Sequence, residues 1–337
     1  MDQLSAHLDR GWDLAQKGDA AGANACAKRA LEIDPQSPEV HNLLGYTAAL
    51  TGDSEEALEH YKQAISLDET YLEAMLNAAE VLMHPLGDWD EAIELCDDAL
   101  EYAETKEEIA DCLLLRVDAL LGKGDVEEAK RNMARLPDPP FENPSYVFLI
   151  GRAYYELGET EKAMPFIEEA VRSDPNHADA HYYLGLLRDD AGDTRGAVEA
   201  FLKSRALDLT KLPPAWAPSP EAFAQLVRRV IQGLDQLLSR WVRDADVYIV
   251  DVPGAELVVD GVDPRATVIL DARAPDGDGG PEAPLQARLF IYQRNVERGA
   301  GSIASLETEL SQALEREITA VFLDRDNPTP SDKHQLN

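Results

Sequence analysis

The apolar positions between residues 38 and 71 follow the spacing of two α-helices joined by a tight turn at Gly52-Asp53. Three small or apolar residues share one face before this turn, and three more share a face after it at spacings of four and three. These residues are Leu44, Gly45 and Ala48, then Ala57, Tyr61 and Ala64. A single helical hairpin cannot bury such a face alone, so the pattern predicts further copies.

The same turn recurs along the chain, where a glycine is followed by an acidic residue and then by an alanine. The further copies begin at Gly18-Asp19, Gly87-Asp88, Gly124-Asp125, Gly158-Glu159 and Gly192-Asp193. The glycines at 18 and 52 are 34 residues apart, as are those at 124, 158 and 192. An extra residue within His84–Leu86 explains the spacing of 35 before Gly87. The chain therefore repeats one hairpin six times over residues 4–211.

A repeat period near 34 residues, with small and apolar residues at the same positions of each copy, resembles the tetratricopeptide repeat. The resemblance implies an all-α solenoid of about six helical hairpins over residues 1–211, whose inner groove is lined by the first helix of each hairpin. It also implies the residues that face solvent in this groove and would contact a partner. They are Asn42, Tyr46, Glu73, Asn77, Glu80, Asp111, Asp118, Arg152, Tyr155, Asp179, Tyr182 and Asp189.

These groove positions are mostly carboxylates and tyrosines, with Arg152 as the one basic residue. Family members that bind the C-terminal carboxylate of a partner use Lys, Arg and Asn at these positions. Binding of a C-terminal carboxylate is therefore not expected for this chain. The charge favours a protein partner with a basic or amphipathic segment. The alternative is that the acidic residues form a solvated face that serves solubility alone.

The period is lost after residue 211. A proline-rich linker is predicted over 212–219, and a small α+β domain over 220–326. The domain pattern predicts an amphipathic helix at 220–242, strands at 247–252, 266–270 and 288–292, and a closing helix at 306–322. A Gly-rich loop is predicted at 275–281 and a disordered tail at 327–337.

The segment Phe290–Arg298, which reads Phe-Ile-Tyr-Gln-Arg-Asn-Val-Glu-Arg, and the helix that follows resemble the small bacterial zincin-like metallopeptidases. The resemblance places Glu315 and Thr319 where that family has its zinc-binding histidines, and Arg316 where it has its general-base glutamate. A guanidinium neither coordinates zinc nor accepts a proton, so the resemblance implies a zincin-like fold that has lost its active site. We therefore expect no enzyme activity, no catalytic residue, no metal and no cofactor.

Several alternatives stay open for this second domain. It could be a hydrolase with unconventional metal ligands, or Glu315 or Asp324 could hold a hard cation. The family binds extended peptides at a sheet edge, which here would be Thr267–Leu270 or Leu289–Tyr292 unless the loop at 272–284 covers it.

Composition narrows the setting of the protein. The formal charge of −33 would repel nucleic acid and anionic membrane surfaces, so neither is expected as a partner. No run of 18 apolar residues occurs, the first residues do not read as a secretory signal, and three scattered cysteines indicate reduced thiols. These features favour a cytoplasmic location. His177 and His181 have the spacing of a helical metal pair, but the equivalent place of His41 in its own repeat favours packing.

The sequence as a whole predicts a non-catalytic adaptor with a repeat solenoid and a degenerate metallopeptidase-like module. The alternative within the same class is a structural subunit of a larger assembly.

Overall fold

The computed structural model describes residues 3–214, 216–273 and 286–322. The chain divides into two compact units, Met1–Pro175 and Asn176–Asn337. These units are defined by compactness, whereas the predicted boundary at residue 211 is the end of the last repeat. The predicted boundary therefore stays a prediction. The predicted loop at 275–281, the predicted tail at 327–337 and Asp324 lie outside the described residues.

The first unit consists of five antiparallel helical hairpins. The first helix of each hairpin also packs on the first helix of the next, so that α1 contacts α3, α3 contacts α5, α5 contacts α7 and α7 contacts α9. The helices are α1 (Gln3–Gln16), α2 (Ala20–Ile33), α3 (Pro38–Thr51), α4 (Ser54–Leu67), α5 (Leu72–Val81), α6 (Trp89–Tyr102), α7 (Lys106–Lys123), α8 (Val126–Met133), α9 (Ser145–Glu156) and α10 (Thr160–Ser173).

The repeated Gly-Asp turn has a backbone explanation. The six turn glycines have φ between 72° and 86°, a left-handed conformation that costs glycine little and ends the first helix. The following aspartate then caps the second helix, as when the side chain of Asp53 accepts the N–H of Glu56 at 3.1 Å. Glu159 is different, because its side chain makes no capping bond. The motif therefore encodes both the end of one helix and the start of the next.

Small residues let the paired helices approach each other, as the pattern predicts. A Cβ atom at Gly45 would lie only 2.6 Å from the ring of Tyr61. That ring is buried with Ala48 and Ala57 in the core of the second hairpin. Cys26, Cys96 and Cys112 are buried free thiols in the same cores.

The third hairpin contains one irregularity. A π-type turn, Leu82–Leu86, follows α5, and within it His84 leaves helical geometry. This turn accommodates the extra residue between Gly52 and Gly87, because the N–H of Asp88 still reaches the carbonyl of Leu82 at 2.9 Å. Its consequence is to bring His84 to the side of Trp89, with ring centroids 5.2 Å apart.

The second unit begins with the sixth hairpin, which confirms the predicted number of hairpins. In its described residues the second unit also contains four further helices, a one-turn helix and three strands. The sixth hairpin is α11 (Ala178–Asp190) with α12 (Thr194–Thr210), and the other elements in chain order are α13 (Pro220–Gly233), α14 (Gln236–Val242), β1 (Asp246–Val250), α15 (Ala255–Val259), β2 (Val268–Arg273), β3 (Gln286–Tyr292), α16 (Gln293–Ala300) and α17 (Leu306–Phe322).

The three strands form one sheet in the order β1-β3-β2, with β1 parallel and β2 antiparallel to β3. Helices α13, α14 and α17 pack with this sheet around one apolar core. Because β3 is central, the prediction that Leu289–Tyr292 is a sheet edge is wrong. The predicted single helix over 220–242 is also wrong, because the chain is extended at Leu234 and Asp235 then caps α14. The closing helix at 306–322 is confirmed.

The carboxylate of Glu317 on α17 accepts the N–H of Leu270 at 2.9 Å, so this donor of edge strand β2 is already bonded.

Within the described ranges, no helix is both long and apolar enough to cross a membrane.

Candidate partner-binding site

A cleft of about 660 Å³ opens in the first unit over helices α5, α6, α7 and α9. Gly122 lies beneath the ring of Trp89, where a Cβ would approach the ring to 2.4 Å. The wall is apolar with a cluster of charged side chains. Its lining residues are Ala49, Glu80, Val81, Met83, His84, Trp89, Leu115, Asp118, Leu121, Gly122, Arg152 and Glu156.

The basic residue of this cleft is already paired. Arg152 Nη2 lies 3.3 Å from Asp118 Oδ2, and Arg152 Nε lies 3.5 Å from Glu156 Oε1. Desolvation raises the pKa of Asp118 to about 6, although the nearby guanidinium opposes the shift. Asp118 is therefore ionised at neutral pH and becomes protonated in mild acid.

Two of the predicted groove carboxylates remain open to an incoming cation. Glu73 and Glu80 on α5 are exposed. Among the residues that the structure describes, neither has a basic side chain within ion-pair distance. Desolvation also raises the pKa of Glu80. The open negative charge of the cleft thus lies beside the apolar wall at Val81 and Met83.

The amide pair of the predicted groove has a structural role. Asn77 Nδ2 donates to Asn42 Oδ1 at 3.0 Å, and Asn42 Nδ2 donates to the hydroxyl of Tyr71 at 3.2 Å. Asn42 is fully buried, so the prediction that it faces solvent is wrong. The physical reason is that a buried amide must bond its neighbours, and here the neighbours belong to the next hairpin.

The other predicted positions of the first unit are distributed along α3, α7 and α9. Asp111 accepts the hydroxyl of Tyr146 at 2.8 Å, and desolvation raises its pKa. Tyr46 packs against Trp12 with ring centroids 5.2 Å apart, and Tyr155 is half-buried on α9. The contacts of Asp111 and Tyr46 link one hairpin to the next.

In the second unit, two predicted positions meet a side chain from beyond the repeats. Arg265, in the turn before β2, lies 2.5 Å from Asp179 and 3.2 Å from Asp208, and its guanidinium carbon lies 4.3 Å from the ring centre of Tyr182. The hydroxyl of Tyr182 donates to Asp263 at 2.9 Å. Asp189, further along α11, is exposed.

The three positions that the zincin-like resemblance singles out lie together on α17. Glu315 and Arg316 are exposed and Thr319 is half-buried. Arg316 bonds Glu309 at 3.3 Å, and Glu315 accepts the hydroxyl of Ser311 at 3.2 Å. The described part of the chain contains no group of three His, Cys, Asp or Glu side chains that could hold a metal ion.

The histidine pair at 177 and 181 also has a local explanation. His177 is the N-cap of α11, and its Nδ1 accepts the N–H of Ala180 at 3.1 Å. That nitrogen is therefore engaged in capping.

Two family models, both described as tetratricopeptide repeat, match this chain at residues 8–71 with 142–208 and at residues 48–111. The chain carries tetratricopeptide repeats. The matches fall on the helical hairpins of both units, and the stretch after residue 208 lies outside them.

Two curated proteins are similar to this chain in sequence. Tetratricopeptide repeat protein 7B of Homo sapiens is 29% identical over 117 residues, which are 35% of this chain and 13% of that protein. Cellulose synthase 2 operon protein C of Komagataeibacter xylinus is 24% identical over 305 residues, which are 88% of this chain and 21% of that protein. The chain thus spans a small part of the length of either relative.

Solved structures support the tetratricopeptide fold. Pseudomonas aeruginosa PilF superposes with a TM-score of 0.51 at 19% identity, over 62% of this chain and 93% of that chain. PilW, described as a type IV pilus biogenesis factor, gives a TM-score of 0.51 at 18% identity, over 62% and 94% of the two chains. At this identity the likeness concerns the fold.

Several side chains that shape the cleft and the sixth hairpin were not predicted from the sequence. In the tetratricopeptide cleft these are His84, Trp89 and Glu156, and in the sixth hairpin they are Arg265 and Asp208. The extra residue before Gly87 was a usable signal for the first group, since it displaces the turn that carries His84. The second group had none, because its members lie far apart in the chain.

Proposed function

We propose that this protein is a non-catalytic protein–protein interaction scaffold, and that the cleft over α5, α6, α7 and α9 binds a basic, amphipathic segment of a partner. The observation that carries the proposal is the position of Glu80, an exposed carboxylate with no described ion-pair partner, beside an apolar wall. Tetratricopeptide proteins bind protein partners, and this cleft lies where the repeats offer a continuous surface.

The chemistry of the cleft selects the partner. Arginine or lysine would meet the negative charge of Glu80 and of Glu73, which lies two turns earlier on α5, and the face of Trp89 can accept a cation. Apolar side chains between the basic ones would contact Val81, Met83 and Leu115. Because Arg152 is held by Asp118 and Glu156, the cleft offers little to an acidic segment.

The test measures fluorescence anisotropy with a labelled probe peptide of alternating leucine and arginine. A second peptide with glutamate in place of arginine controls for apolar binding. The cleft variant Glu73→Gln/Glu80→Gln neutralises the two open carboxylates of α5. It is compared with Glu94→Gln/Asp98→Asn, which neutralises two exposed carboxylates of α6 outside the cleft lining.

We expect the cleft variant to lose about tenfold or more in affinity, because both open carboxylates of α5 are neutralised together. The α6 variant has the same formal charge and should bind like the unaltered chain. Equal losses in both variants would show that the overall negative charge is responsible, and the proposal of a specific cleft would be abandoned.

We further propose that the second unit contains a degenerate zincin-like module that does not hydrolyse peptides. The residues at the three motif positions support this, because Arg316 bonds Glu309 and can neither coordinate nor accept a proton. Zinc titration of the purified chain by calorimetry tests it. Stoichiometric, tightly bound zinc would favour the hydrolase alternative.

The names of the relatives suggest the setting for such a scaffold. One relative is named for a cellulose synthase operon, and PilW is described as a pilus biogenesis factor. We propose a comparable role in the assembly of a multi-protein complex, in the cytoplasm, where the buried free thiols would stay reduced.

A further inference from the structure

The sixth hairpin, α11 with α12, holds a guanidinium group in a pocket made of charged and aromatic side chains. The group belongs to Arg265, which the turn before β2 presents to the hairpin. All of these residues lie in the second unit, so the site is independent of the cleft in the first.

The pocket binds this arginine in three ways. Asp179 and Asp208 accept from Nη2 and Nε at 2.5 and 3.2 Å, so two carboxylates share one guanidinium. The ring of Tyr182 lies 4.3 Å below its central carbon, which is cation–π distance. Arginine suits this arrangement better than lysine, because its planar fork bonds two acceptors while it stacks on an aromatic ring.

The burial of Asp208 indicates that the pocket is built for a cation. Its side chain is only 5% exposed, whereas that of Asp179 is 39% exposed. A buried carboxylate must be paired to be tolerated, and Asp208 lies within 3.3 Å of Lys211 and 2.7 Å of Arg298 in addition to Arg265. Removal of Arg265 would leave part of that charge and the Tyr182 ring uncovered.

The segment that carries Arg265 is held in a fixed turn and contacts the hairpin at a second residue, Asp263. Asp263 accepts the backbone N–H of Arg265 at 2.7 Å, which fixes the turn, and its other oxygen accepts the hydroxyl of Tyr182 at 2.9 Å. Asp263-Pro264-Arg265 thus contacts the hairpin through both of its charged residues.

We infer that the sixth hairpin is an arginine-binding site, and that the chain occupies it with its own Asp263–Arg265 segment. A partner protein that presents an arginine in an exposed segment would compete for this site with a ligand already tethered. The tether gives the internal segment a high effective concentration, so the site is closed until that segment is displaced.

The first experiment is chemical rescue of the full-length Arg265→Ala chain. Ethylguanidinium should raise its thermal midpoint more than it raises that of the unaltered chain, because it fills the vacated pocket. Ethylammonium at the same concentration should give a clearly smaller difference, since it lacks the planar fork. Equal shifts in the two chains, or equal effects of the two ions, would overturn the inference.

The second experiment uses a labelled peptide that copies residues 260–267, Asp-Gly-Val-Asp-Pro-Arg-Ala-Thr. Arg265→Ala should bind it at least about tenfold more tightly than the unaltered chain, and Asp208→Asn in the same background should remove the gain. A peptide with alanine in place of arginine is the control. Binding that ignores either change would refute the site.

Circular dichroism of Arg265→Ala determines how these results are read. If that variant does not fold, Arg265→Lys replaces it, because lysine keeps the charge but cannot bond both carboxylates while stacking on Tyr182. Ethylguanidinium should then stabilise the lysine chain more than the unaltered one, and no difference between these two would equally refute the inference.

Discussion

The contact between Gly45 and the ring of Tyr61 in the second hairpin leads to a prediction for stability. In Gly45→Ala, the new methyl carbon would lie 2.6, 2.7 and 3.0 Å from three ring carbons of Tyr61. Carbon atoms prefer separations of about 3.5–4.0 Å, so the ring or the helix must move by close to an ångström. The ring is 1% exposed and enclosed by Ala57, Ala78 and Val81, so it has no free space to enter.

Overpacking of this kind costs about 1–3 kcal/mol, and alanine recovers up to about 1 kcal/mol through its better helix propensity. We therefore expect a net loss of about 1–2 kcal/mol in the free energy of unfolding. Urea denaturation followed by far-UV circular dichroism measures it. Gly233→Ala is the matched control, because no atom lies within 4 Å of its added carbon, and it should be neutral or slightly stabilising.

A second substitution tests the cause of this loss. Tyr61→Leu removes the ring that the methyl group meets, so Gly45→Ala should cost less in that background than in the unaltered chain. If Gly45→Ala is as stable as the unaltered chain, or if its cost is the same with leucine at 61, helix approach does not explain the glycine.

Three further predictions concern single side chains. Asp53→Ala should lower the free energy of unfolding by about 1 kcal/mol through loss of its cap, whereas Glu159→Ala, which removes no capping bond, should change it by less than about 0.5 kcal/mol in the same denaturation assay. The pKa of Asp118 in the native state is about 6, above its ordinary value in the unfolded chain, so the native state binds more protons between these two pKa values. The free energy of unfolding should therefore fall as pH rises through that window. Asp118→Asn should flatten this part of the pH profile of unfolding free energy, which urea titrations at several pH values measure. Glu317→Ala should lower the free energy of unfolding, measured by thermal denaturation, by about 1–3 kcal/mol, because the N–H of Leu270 loses its acceptor. Glu317→Gln keeps a carbonyl oxygen as acceptor and should lower it clearly less.

The repeat architecture was predictable because its determinants are local. A left-handed glycine and a capping aspartate lie next to each other in the chain, so every hairpin carries its own turn signal. The break between α13 and α14 was missed because apolar spacing continues across it, although Asp235 provides the same kind of capping signal as the aspartates of the repeat turns. The place of β3 in the middle of the sheet depends on strand pairing over some 40 residues, which local pattern does not encode.

The candidate sites show where sequence reasoning ends. Glu80 and Asp179 are both acidic positions of a first helix, and in the sequence they contribute equally to the charge of −33. In the structure Asp179 is paired with Arg265 from 86 residues further along the chain, whereas Glu80 has no cation within ion-pair distance among the described residues. Screening limits exposed charges to a range of about 8 Å at physiological ionic strength, so a partner responds to the local pairing and not to the total charge. Among the twelve predicted groove residues, Glu73 and Glu80 have no basic side chain within ion-pair distance in the described part of the chain, so a search for the partner should begin from the chemistry around Glu80.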